Sequence, residues 1–148
     1  LSSFTVNTST KVISSASEQV LLTLDQPIIY HNGGDLAFGN DGMLYSAFGD
    51  SEMDSESQKL DNLYGTMIRI DVSTTPYSIP SDNPFNTSQS ACRSYSVSRT
   101  EDCPEIFAYG LRNLVSIVQQ ALLGLVMLVI VVLKKLIESV LAVIMVGQ

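Results

Sequence analysis

Short β-type runs, broken by turn-forming residues, organise most of the chain. Ser3-Phe4-Thr5-Val6, Val20-Leu21-Leu22-Thr23-Leu24, Leu36-Ala37-Phe38 and Met43-Leu44-Tyr45-Ser46-Ala47-Phe48 each read as a β-strand. Between the last two stands Gly39-Asn40-Asp41-Gly42, whose Asp-Gly pair supplies the positive φ angles of a tight hairpin. Gly65-Thr66-Met67-Ile68-Arg69-Ile70-Asp71-Val72 alternates residue types and predicts another strand. Pro76, Pro80 and Pro84 then interrupt regular structure, and Glu105-Ile106-Phe107-Ala108-Tyr109 resumes it. No amphipathic helix is patterned before residue 113, so the expectation is an all-β fold, a sandwich or the blades of a propeller.

The pattern changes after Asn113. Residues 114–133 carry no charge and are interrupted only by Ser116, Gln119, Gln120 and Gly124; Lys134 and Lys135 follow. Twenty apolar residues suffice to span a bilayer as a helix, and the two lysines would then face the cytoplasm, leaving residues 1–113 outside. Two other readings stay open for residues 114–148: a buried or aggregating hydrophobic helix, or an out-of-frame translation whose apolarity carries no function. The expected division is therefore 1–113 as a β domain and 114–148 as an apolar tail, with 114–133 as the candidate transmembrane helix.

A chain of 148 residues, 45% apolar and 16% charged, is long enough for one core and too ordered in composition for wholesale disorder. The net charge of −7 excludes a phosphate-backbone binder, which needs clustered Lys and Arg, so no nucleic-acid partner is expected. The first residue is Leu1, and the expectation is a chain that starts inside a longer protein or has been processed. Asn7-Thr8-Ser9 and Asn86-Thr87-Ser88 are glycosylation sequons, compatible with a secreted surface. The two cysteines, Cys92 and Cys103, bracket a polar loop. They would close a disulfide worth roughly 2–3 kcal/mol in an oxidising compartment, or remain free thiols in a reducing one.

Four ordered motifs sharpen this reading. His31-Asn32-Gly33-Gly34-x-Leu36-x-Phe38-Gly39-x-Asp41-Gly42-x-Leu44-Tyr45 followed by Gly49-Asp50 resembles the soluble quinoprotein glucose/sorbosone dehydrogenases and their Hedgehog-interacting-protein-like relatives. The segments from Leu63 to Val72, from Tyr77 to Phe85 and from Pro104 to Asn113 resemble the same family in the same order. The resemblance implies a six-bladed β-propeller, of which residues 1–113 would form two to three blades at roughly 40–50 residues each. It implies His31 as the base that takes a proton from a sugar hydroxyl while hydride passes to pyrroloquinoline quinone (PQQ), a task suited to an imidazole. It implies Arg112 and Asn113 as quinone-binding residues, since a guanidinium fork suits carboxylates and carbonyls.

The family's Arg-Asn pair is normally followed by Pro and an aromatic, where this chain has Leu114 and Val115. Calcium is implied as a second cofactor, but the family's calcium ligands and several substrate contacts come from blades after the Arg-Asn segment, so the chain is not expected to turn over alone. The acidic run of Asp50, Glu52, Asp54 and Glu56 lacks the spacing of a calcium loop and reads as a solvated loop, and no metal ligand is assigned. Asp35 is assigned no role, and Gln58 resembles a family glutamine only loosely. Two functions follow from the resemblance: oxidation of a sugar hydroxyl, or a non-catalytic extracellular or membrane-tethered module that binds a protein ligand.

Overall fold

The computed structural model describes residues 1–87, 90–92 and 100–113. Eight strands are present among them: β1 (Ser2–Ser3), β2 (Val6–Asn7), β3 (Val12–Ile13), β4 (Gln19–Val20), β5 (Gly33–Phe38), β6 (Leu44–Phe48), β7 (Met67–Ile70) and β8 (Ile106–Ala108). Two short 3-10 turns, Ser15–Ser17 and Glu56–Gln58, are the helical elements of the described residues. The described residues are all-β, as their sequence pattern predicts.

Strands β5 to β8 form one antiparallel sheet in sequence order, while β1–β4 and β2–β3 make two-stranded ladders. The expected strand at residues 20–24 is realised only at Gln19–Val20, because Leu21 and Leu22 leave the ladder and enter the core. The hairpin between β5 and β6 forms where predicted, but with a longer loop. The Gly42 N–H bonds to the Gly39 carbonyl (3.0 Å) and the Gly39 N–H to the Met43 carbonyl (2.9 Å), and Gly42 takes φ 78°. Asp41 contributes its side chain instead of a positive φ: its Oδ1 accepts from the Met43 N–H and its Oδ2 from the Tyr45 hydroxyl.

Both faces of the sheet are covered around β7, every residue of which is buried, whereas β5 at the edge is exposed or half-buried. On one face Leu44, Phe48, Ile68, Ile70 and Ile106 pack with Leu21, Leu22, Leu63 and Tyr77 and with the Cys92–Cys103 disulfide. On the other, Ala47, Met67, Ala108 and Leu111 pack with Tyr45 and Phe107, whose rings meet edge to face. Arg69 points from a buried strand yet is neutralised: Nε donates to Asp41, and Nη1 and Nη2 donate to both carboxylate oxygens of Asp82. Asn83 accepts from Arg69 Nη1 and returns its amide to the Arg69 and Pro104 carbonyls, clamping the proline-rich loop onto β7 and β8.

These charges are set by their neighbours. The Arg69 guanidinium beside Asp82 holds that carboxyl below the usual range. Burial pushes Asp41 up, but the Met43 N–H, Arg69 and the Tyr45 hydroxyl outweigh it and leave the group lowered. Burial, with the Asp41 carboxylate, raises Tyr45 to about 12.

Candidate functional site

In an antiparallel meander the start of β5 and the ends of β6 and β8 fall at the same end of the sheet. His31 precedes β5, Asp50 follows β6 and Arg112 follows β8, so one sheet end gathers all three. The backbone stitches them together: the Gly49 N–H bonds to the Asn32 carbonyl (3.1 Å), Ser51 N–H to the His31 carbonyl (3.2 Å) and Asp50 N–H to the Arg112 carbonyl (2.9 Å). Glycine at 49 is required for this approach, since a Cβ there would lie 1.6 Å from the His31 carbonyl oxygen. The turn is also strained, with His31 (φ 54°), Ser51 (49°) and Glu52 (56°) all in the left-handed region that side chains disfavour.

Two contacts fix the imidazole of His31. Its Nδ1 lies 3.0 Å from Asp50 Oδ1 and its Nε2 lies 3.1 Å from Arg112 Nη1. A guanidinium has only protons to give, so Nε2 must accept and the ring proton must sit on Nδ1, donated to Asp50. Asp50 itself is buried (1% exposed) and its Oδ1 also accepts from the Glu52 N–H. The result is an Asp–His–Arg chain with a basic lone pair directed at the edge that Arg112 covers; the Arg112 side chain is 64% exposed, with Nε 3.9 Å from Asp54. Any oxygen acid that displaces the guanidinium meets a neutral base held in one tautomer.

The structure thus brings His31 and Arg112 together, and Asn113, adjacent in sequence, is exposed at the end of the described residues. It adds Asp50, which in the sequence reads as part of a solvated acidic loop. The signal was the Gly49-Asp50 pair right after a strand ending. The rest of that loop is dispersed: Glu52 and Asp54 are exposed, and Glu56 binds Lys59 (2.6 Å) and Asn62 (3.3 Å). Gln58 is exposed in its 3-10 turn, and Asp35 is half-buried on β5.

Cys92 and Cys103 form a disulfide with a Cα–Cα distance of 5.4 Å, resolving the cysteine alternatives toward the paired form. Asn7 and Asn86 are exposed, and Asn7 Oδ1 accepts from the Ser9 and Thr10 N–H groups. Among the described residues no helix is long and apolar enough to cross a membrane, and the expected helix at 114–133 lies outside them.

Comparison with known proteins finds the following likenesses. A family model described as Glucose / Sorbosone dehydrogenase matches residues 6–126, a stretch that extends past Asn113 into the apolar segment. The HIPL2 protein of Arabidopsis thaliana is 33% identical over 123 residues, covering 71% of this chain and 16% of that protein. The Hedgehog-interacting protein of Mus musculus is 38% identical over 92 residues, covering 56% of this chain and 11% of that protein. A solved glucose dehydrogenase superposes with a TM-score of 0.54 at 26% identity, covering 76% of this chain and 29% of that one. The chain thus spans a small part of the relatives it matches.

Proposed function

Since the chain belongs to the glucose/sorbosone dehydrogenase family, we propose that its described residues carry the proton-handling part of a sugar-oxidising site. The observation that carries this reading is the Asp50–His31–Arg112 chain with its single accepting Nε2. A sugar hydroxyl approaches Nε2 from the side of Arg112, and the imidazole takes the hydroxyl proton as hydride leaves the same carbon. Asp50 holds the tautomer and offsets the imidazolium charge that develops. PQQ, when bound, would supply the hydride acceptor.

The fit of the implied cofactors differs. Arg112 is exposed beside the base, and with the Asn113 amide it offers donors of the kind that carboxylate and carbonyl oxygens of a quinone require. Calcium finds no matching donor set among the described residues: the one gathered group there is Cys92, Cys103 and Glu105, whose sulfurs are bonded to each other. No step is assigned to calcium. The sheet of β5 to β8 serves as one blade of a six-bladed ring, residues 1–113 filling two to three blades. The chain spans 29% of the solved glucose dehydrogenase, and its described residues are proposed to supply one part of the pocket.

Titrating the full chain with PQQ, with and without millimolar calcium, tests this reading. A saturable absorbance change that Arg112→Ala weakens supports it, and any accompanying dye reduction with aldoses disappears in His31→Ala. No response to the quinone contradicts it and favours a second reading, an extracellular or membrane-tethered module for a protein ligand. That reading draws on the higher identity to the Hedgehog-interacting protein, 38% against 26% for the glucose dehydrogenase.

In both readings residues 1–113 lie outside the cell, consistent with a disulfide in the core and exposed sequon asparagines at 7 and 86. An electrophoretic shift on N-glycanase treatment of secreted material, removed by Asn7→Gln with Asn86→Gln, checks the glycans. Residues 114–133 are proposed as the anchor, checked by whether a fusion of residues 110–148 resists carbonate extraction.

A further inference from the structure

A second cluster of reactive side chains lies in the core, separate from the His31 site. Glu105, at the entry to β8, is 0% exposed. Its Oε1 accepts from the Tyr77 hydroxyl (2.6 Å) and the Cys92 N–H (2.6 Å), but its Oε2 is buried with no hydrogen-bond partner among the described residues. A buried carboxylate oxygen left unpaired is costly, and a cation is one partner that satisfies it. The sulfurs of Cys92 and Cys103 and a carboxylate oxygen of Glu105 all lie within 4.8 Å of one another.

While the sulfurs are bonded to each other they are poor ligands. We propose that reduction of the Cys92–Cys103 bond by an external thiol turns this cluster into a zinc site with two thiolates and the Glu105 carboxylate as ligands. Two reductant thiols are oxidised to their own disulfide, and the protein's bond takes up their two electrons and two protons. Zinc binding then releases those two protons to solvent. Tetrahedral zinc with Zn–S of about 2.3 Å and Zn–O of about 2.0–2.2 Å sets its ligands roughly 3.5–3.8 Å apart, inside the span the cluster already occupies. Small rotations of two cysteine side chains open the sulfurs to that spacing, and a fourth position remains for water. The ligand spacing in sequence is unlike a zinc ribbon; the fold, by docking Cys92 through its N–H onto Glu105, does the gathering. This inference is independent of the proposed sugar-oxidising function.

The test uses the full chain and cadmium as a spectroscopic stand-in for zinc. After reduction with a phosphine, which supplies the same two electrons as the thiols and competes weakly for metal, cadmium should produce a thiolate charge-transfer band that saturates at a single equivalent and is displaced by zinc. The oxidised chain should show none. Glu105→Gln should weaken binding on the order of 10- to 100-fold, a loss typical of removing even a supporting group at zinc sites. Cadmium-113 resonance adds a readout that does not depend on the variant folding, since a carboxylate and two sulfurs give a shift distinct from two sulfurs and water. The proposal is overturned if the reduced chain gives no band, if its resonance lacks the carboxylate, if Glu105→Gln binds as tightly as the parent, or if reduction unfolds the sheet and cadmium does not restore it.

Discussion

Replacing Gly49 by alanine should destabilise the chain more than any other single methyl added to its glycines in the β5–β6 region. The added Cβ would sit 1.6 Å from the His31 carbonyl oxygen and 2.3 Å from its carbon, where ordinary contact begins at 3.4 Å. Both partners are backbone, so neither can swing aside. Retreat of the Gly49 segment would break the Gly49–Asn32, Asp50–Arg112 and Gly65–Gly49 backbone bonds, each worth about 0.5–1.5 kcal/mol, in addition to an overpacking cost of about 1–3 kcal/mol. The expected loss is therefore about 2.5–7.5 kcal/mol. Gly42→Ala is the control: φ is 78° but nothing lies within 4 Å of the new Cβ, so only the left-handed backbone penalty of about 1–2 kcal/mol applies. Urea unfolding followed by far-ultraviolet circular dichroism and by tyrosine emission, unmasked because the chain has no tryptophan, measures both. If Gly49→Ala costs no more than Gly42→Ala, the three segments do not converge as described, and the site built on that convergence falls with them.

Other expectations follow from the same contacts. Arg69→Lys keeps the charge but loses the fork that holds Asp41, Asp82 and Asn83, and should cost about 1–3 kcal/mol in the same urea assay. Asp82 and Asp41 are held below the ordinary carboxylate range, so their contribution to stability is complete above about pH 4 and fades as pH falls below it. Tyr45, raised to about 12, contributes below its ordinary value near 10 and loses that contribution as pH climbs through about 12. Thermal unfolding across pH reads both limbs, and Arg69→Met should flatten the acid one. Cys92→Ser with Cys103→Ser removes closure of a loop with a sequence separation of 11 and should cost roughly 3 kcal/mol.

The central strands were readable because alternation and an Asp-Gly turn are local signals. Residues 65–72 and 43–48 became β7 and β6 within a residue or two of their apolar patterns. Residues 20–24 misled because Leu21, Leu22 and Leu24 are equally good as a strand face or as core plugs, and only the surrounding sheet decides. The buried Arg69 was invisible to pattern reading, since its neutralising partners at 41, 82 and 83 come from two distant loops. At the site, motif resemblance singles out His31, Arg112 and Asn113, of which the structure sets His31 against Arg112, while Asp50 is hidden among neighbouring acids. What separates it from Glu52 and Asp54 is burial, produced by the Gly49 approach to His31 and by no feature of charge or spacing.

The proposed base depends on the protonation of one ring. His31 is the only histidine, so its imidazole nitrogens give an unambiguous pair of resonances. A long-range proton–nitrogen correlation spectrum of the full chain in mildly alkaline buffer should show the proton on Nδ1 and a bare, accepting Nε2. Asp50→Asn should mix the two tautomers, and Arg112→Ala should shift Nε2 alone. A spectrum with the proton on Nε2, or one indifferent to both substitutions, would mean that the base is not held between Asp50 and Arg112.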